Sequence, residues 1–102
     1  MNFGSMMKQA QKMQAKMAEM QEQLKDEVVE ASAGGGTVKV VLSGDMQVRS
    51  ITIDPAAVDP DDVELLQDMT AAAVNEAIRA AQELSQTRMA AITGGLNLPG
   101  MM

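Results

Sequence analysis

TVKVVLSGDMQVRSITID, residues 37–54, is the stretch that decides the fold. Val38, Val40 and Leu42 alternate with Lys39, Val41 and Ser43, a period of two that places the three aliphatic side chains on one face of an extended strand. Gly44-Asp45 follows as a two-residue link, with glycine accepting the positive φ of a tight hairpin turn, and Met46–Ile53 returns as the partner strand. Along that return the apolar positions change phase, from Met46 and Val48 to Ile51 and Ile53. Either both faces of the sheet are covered, or a bulge near Arg49-Ser50 re-aims the chain. Both options give the small sheet more than one partner surface, as an interaction module requires.

Upstream of the hairpin, Glu27 to Ala33 reads as a first strand, with Val29, Ala31 and Ala33 on one side and Val28, Glu30 and Ser32 on the other. Gly34-Gly35-Gly36 links it to the hairpin. A phosphate-cradling loop would need Gly-Lys-Ser/Thr opening a helix, whereas Thr37-Val38-Lys39-Val40 opens a strand, so a turn is expected.

Before the sheet, Phe3, Met6, Ala10, Met13, Met17, Met20 and Leu24 fall alternately three and four residues apart, a heptad stripe over three repeats. Gln, Lys, Ala and Glu fill the other positions, which predicts a helix of about 20 residues and ~30 Å, capped by Asn2 or Ser5. Its stripe needs another helix. Lys8, Lys12 and Lys16 recur every four residues off the stripe, with no acid before Glu19, and form a basic ridge. An ordinary solvated face and a phosphate-binding face account for that ridge equally well.

Downstream, Asp54-Pro55 ends the sheet, because proline cannot continue a central strand. Asp59-Pro60-Asp61-Asp62 reads as a helix start, with Asp59 as cap and Pro60 in the first position. As a calcium loop it lacks the required glycine and distal glutamate. The second helix is expected from about Pro60 to about Ile92, with Gly94-Gly95 as a left-handed cap. Val63, Leu66, Met69, Ala73, Ala77, Ile78, Ala81 and Leu84 give it a wide apolar face that two partners can share. The whole is expected to be one α+β domain over 1–102: a helix over 1–26, an antiparallel three-stranded sheet over 27–54, a helix over 59–93 and a flexible tail over 94–102.

A chain of 102 residues buries a limited fraction of its surface, so self-association is expected. Histidine, cysteine, tyrosine and tryptophan are all absent, which removes the usual general bases, thiolate nucleophiles and transition-metal ligands. The expectation is a non-enzyme with no cofactor and no metal. No apolar run approaches the ~20 residues of a membrane span, and MNFGSMMKQAQK lacks the apolar core of a signal peptide, so a cytoplasmic protein without a membrane partner is expected.

The net charge of −6 argues against nucleic acid, but a polyanion meets the local field rather than the sum. The first helix runs toward the sheet and the second away from it, so the start of one and the end of the other form a projecting arm. That arm carries Lys8, Lys12, Lys16, Arg79 and Arg88, the candidate phosphate contacts, while Asp54, Asp59, Asp61, Asp62, Glu64 and Asp68 crowd the sheet end. A dimer built through its sheets would carry two such arms, a clamp for a polyanion.

MKQAQKMQAKM near the N-terminus, the central GGGTVKVVLSG, Ile53-Asp54-Pro55, the run ELLQDMTAAAVNEAIRAA and the terminal TGGLNLPGM together resemble the YbaB/EbfC family of bacterial nucleoid-associated proteins over nearly the whole chain. Where the family is described with Leu-Glu-Asp-Leu, this chain has Leu66-Gln67-Asp68-Met69. The resemblance implies an α-β-β-β-α protomer, a homodimer with tweezer-like helical arms, and duplex DNA binding at the nucleoid. The rival expectation is a protein-interaction module of DNA replication or repair acting through Met-rich arms. With Phe3 the sole aromatic, single-strand recognition by base stacking is disfavoured, which leaves the duplex.

Overall fold

Alternating valines build the centre of the fold. In the computed structural model, which describes residues 2–93, the order is α1 (Phe3–Asp26), β1 (Val28–Ala33), β2 (Val38–Ser43), β3 (Val48–Ile53) and α2 (Val63–Thr93), with one 3-10 turn at Pro55–Ala57. The three strands form an antiparallel sheet in the order β1-β2-β3. Val38, Val40 and Leu42 are buried on its inner face, where each stabilises the fold by about 1.5–3 kcal/mol. Val29, Ala31 and Ala33 of β1 join them, opposite Leu42, Val40 and Val38 respectively.

The phase change in β3 is a bulge. Val41 pairs with Ser50 and Leu42 with Val48, which leaves Arg49 as the extra residue. The slip brings Val48, Ile51 and Ile53 onto the inner face with Leu42, Val40 and Val38. Of the two expected readings the bulge is the one present: the outer face carries Glu30, Ser32, Lys39, Ser50 and Thr52, with Val28 and Val41 among them, and the apolar positions of all three strands share the inner face.

Both turns differ in kind. Gly34, Gly35 and Gly36 all have positive φ, at 63°, 67° and 98°, and Thr37 Oγ1 donates to Gly34 O at 2.7 Å, so the triplet is a turn that side chains would strain. The β2–β3 link is longer than the two residues expected, spanning Gly44 to Gln47, and the left-handed residue in it is Met46 at φ 69° rather than Gly44. The buried Ser43 ties this link together. Its hydroxyl donates to the Asp45 carboxylate and accepts from Gln47 N–H at 3.0 Å, and its own N–H donates to Gln47 O at 2.8 Å.

Gly44 is small for another reason. A Cβ there would lie 2.7 Å from Leu24 O and 2.8 Å from Leu24 Cδ2, because the last turns of α1 rest directly on the β2–β3 link. Gly44 N–H donates to Glu27 O at 2.9 Å, and Arg49, the bulged residue, reaches Lys25 O at 2.7 Å. The end of α1 is thus bound by a backbone amide and a guanidinium that satisfy carbonyls no helical partner reaches.

Helix α2 serves two partners, as its wide apolar face requires. Ala73, Ala77 and Ala81, four residues apart, are fully buried against β1 and β2, where methyl side chains let the helix backbone approach the sheet closely. Its C-terminal turns continue past the sheet and pack on α1. Helix α1 begins on Asn2, whose Oδ1 accepts from Gly4 N–H at 3.1 Å. The start of α2 is later than expected: Asp59 Oδ1 accepts from Asp61 N–H at 2.9 Å and Asp59 O from Asp62 N–H at 3.0 Å, which closes a separate turn. Asp62 then caps the helix through Leu65 N–H at 3.3 Å. The Gly94-Gly95 cap and the tail over 94–102 lie outside the described residues.

Gly44→Ala is expected to lose about 1–3 kcal/mol through the forced separation of α1 from the link, which for a domain of this size lowers Tm by roughly 5–15 °C. A thermal melt followed by circular dichroism checks it, and a Tm within a degree of the parent would show that α1 does not rest on residue 44.

Candidate nucleic-acid interface

A helix that runs past the end of its partner makes an arm. The C-terminal turns of α2 reach α1 at Ile92, which shares a cleft of about 130 Å³ with Gln9, Lys12, Met13 and Lys16. Phe3 lies ten residues before Met13, so at 1.5 Å per residue the first turns of α1 run about 15 Å beyond the level of Ile92. The molecule measures 69 × 27 × 16 Å, its long axis drawn out by these helices. Burial along the stripe follows. Met20 and Leu24 are buried, Met13 and Met17 half-buried, and Phe3, Met6 and Ala10 exposed.

The five candidate cations fall into two groups. Lys8, Lys12 and Lys16 are exposed on α1 and form no ion pair among the described residues. The stretch over 2–18 contains these three lysines and no carboxylate, so Lys8 and Lys12 have no acid within a turn on their own helix, while Lys16 has Glu19 three residues on. Lys12 and Lys16 border the Ile92 cleft, and Lys16 continues into a second cleft with Glu19, Met20, Gln23, Arg88 and Ala91.

Both arginines are already paired. Arg79 lies between Glu76, at 3.0 Å, and Glu83, at 2.6 Å, and the hydrogen bond to Glu76 is the main reason its pKa is raised above the ordinary arginine value. It sits between Ala77 and Ala81, on the part of α2 that covers the sheet, whereas the lysines sit on the arm. Arg88 Nε donates to Glu27 Oε2 at 3.2 Å and its Nη2 to Glu27 Oε1, which ties α2 to the junction of α1 and β1. Arg49 and Glu27, which sequence reasoning passed over, therefore fix the root of the arm. A signal was available for Arg79: glutamates three residues before and four after it are the spacing at which helical side chains meet.

No group of histidine, cysteine and carboxylate side chains suited to a metal occurs among the described residues, and no helix there is long and apolar enough to cross a membrane. On the sheet, α2 covers β1 and β2 but leaves β3 open, with Val48 at 52% and Ile51 at 45% exposure although both lie on the apolar face.

A known protein shares this architecture. The solved structure of uncharacterized protein HP0035 from Helicobacter pylori has the same fold, with a TM-score of 0.75 at 24% identity, covering 85% of this chain and 91% of that one. A protein of Desulforamulus reducens named a nucleoid-associated protein is 58% identical over 100 residues, 98% of this chain and 95% of its own length. One of the same description from Acetivibrio thermocellus is 54% identical, covering 98% of this chain and 89% of its own. The family model described as the YbaB/EbfC DNA-binding family matches residues 1–96, and with an α-β-β-β-α protomer drawn out into a lysine-bearing arm, the chain belongs to that family.

Proposed function

We propose that two copies of this chain associate through the open part of the sheet and grip duplex DNA with the lysine ridges of their α1 arms. The protein would act at the nucleoid, in its organisation or in gene expression, with no catalytic step. The observation that carries this reading is the ridge itself: Lys8, Lys12 and Lys16 form no ion pair among the described residues and stand on a projecting helix of a chain whose net charge is −6. Cations kept clear of local acids are the groups that phosphates meet, and counterion release makes each contact favourable. Arg79 and Arg88 join the grip only by exchanging carboxylate for phosphate. The names of the relatives support the nucleoid as the place of action.

The dimer has its own support. Val48 and Ile51 are apolar, exposed and in register with the buried Leu42 and Val40, so they extend the core of the sheet to a surface that α2 leaves open. A second copy is the partner at hand for a domain this small. The exposed Phe3, Met6 and Met7 favour one further reading, a replication or repair protein bound through the arms.

Sedimentation at micromolar concentration is expected to give a dimer, and Ile51→Lys a folded monomer with native circular dichroism. A wild-type monomer would remove the two-armed clamp. In gel shifts on duplex DNA over a salt series, roughly 4 to 6 phosphate contacts predict a log-log slope of about −4 to −5. Replacing Lys12 and Lys16 together by Gln keeps helix propensity and, by removing four charges from the dimer, should bring the slope to about −1, weakening all sequences alike. Unchanged affinity in a natively folded variant would reject the grip and favour the protein partner.

A further inference from the structure

We propose that Phe3 is a wedge that enters the base stack of the bound duplex and kinks it, an inference that rests on the DNA grip proposed above. Phe3 is the only aromatic residue of the chain and the first residue of α1, and it is 76% exposed. Met6 and Met7, three and four residues on, lie beside it at 51% and 49% exposure. Helical Cα–Cβ bonds tilt toward the N-terminus, so the ring of a first helical residue leads the arm rather than lying along its flank. Among the described residues, α2 lies against the stripe from Leu24 up to Met13 and no nearer its start, so its packing does not explain this apolar tip.

The neighbouring charges name the occupant. The first turn of α1 carries no acid, and the next charged groups are Lys8, Lys12 and Lys16, none of them ion-paired among the described residues. An apolar tip followed by a cationic flank suits a ligand that is anionic outside and apolar within, and duplex DNA is built that way, with phosphates around a stack of flat rings. A phenyl ring is about as thick as a base, and Phe and Met are among the side chains that DNA-bending proteins insert between base steps. The lysines would hold the backbone while the ring unstacks one step, most readily a flexible TA step. This side-on wedge needs one ring per arm, in contrast to the row of aromatics on which single strands stack.

The test uses the full chain and a 30-base-pair duplex with a central TA step, labelled at its ends for energy transfer and carrying 2-aminopurine at that step. Wild type is expected to raise both the transfer and the 2-aminopurine fluorescence. Phe3→Ala should return both to the values of free DNA while affinity falls only about fivefold to tenfold and the salt slope stays the same. Phe3→Leu, still apolar, should keep part of the bend. Wild-type binding without either optical change, or equal changes with Phe3→Ala, overturns the wedge and leaves the lysine grip standing. No wild-type binding at low salt overturns both. A Tm more than a few degrees lower in Phe3→Ala would mean that the ring packs on its own protein, which also overturns the wedge.

Discussion

Leu24 and Gly44 meet at a distance that leaves no room for a side chain on residue 44, and the direction of α1 follows from that meeting. The helix cannot rise away from the link without losing the Gly44 amide bond to Glu27 O, nor swing sideways without stretching Arg49 from Lys25 O. Glu27, held by Arg88, ties the same junction to α2. These contacts lie at the root of the arm, so its placement depends on a backbone contact and two side-chain bridges rather than on the stripe of methionines farther out. Unbranched thioether chains pack in several ways and fix an angle poorly. A glycine with no space above it fixes one well.

Much of the fold was legible because its signals are periodic. The alternation of Val38, Val40 and Leu42 and the alanines of α2 repeat often enough to identify the element and its buried face, and the heptads of α1 identify the helix and the face that is buried from Met13 onward. The phase change in β3 announced its bulge, and Arg49 stands in the place where the period breaks. Single contacts were hidden. Gly44 reads in sequence as a residue needed for its φ, yet it is needed for its size, which depends on a helix twenty residues away. Asp59 and Asp62 are equally good caps by composition, and only the hydrogen bonds that Asp59 makes within its own turn give the helix to Asp62.

The basic surface was half legible for the same reason. Spacing alone placed Lys8, Lys12 and Lys16 on one ridge, and the absence of any carboxylate over 2–18 is a property of the linear sequence. The state of the arginines was not local in the same way: Arg88 meets Glu27 across 61 positions of chain, a pairing that tertiary structure alone creates. A polarised molecule thus results from two devices, lysines with no ion pair among the described residues and arginines supplied with carboxylates.

Helix α2 spans 31 residues with neither glycine nor proline, covering the sheet with one half and bracing α1 with the other. It has no joint between these tasks. A rigid beam of about 46 Å makes a small rotation at one end a larger displacement at the other. In the two-armed assembly proposed above, the gauge of the gap would accordingly be set where the sheets meet, and a substitution far from any phosphate would retune which width of duplex fits.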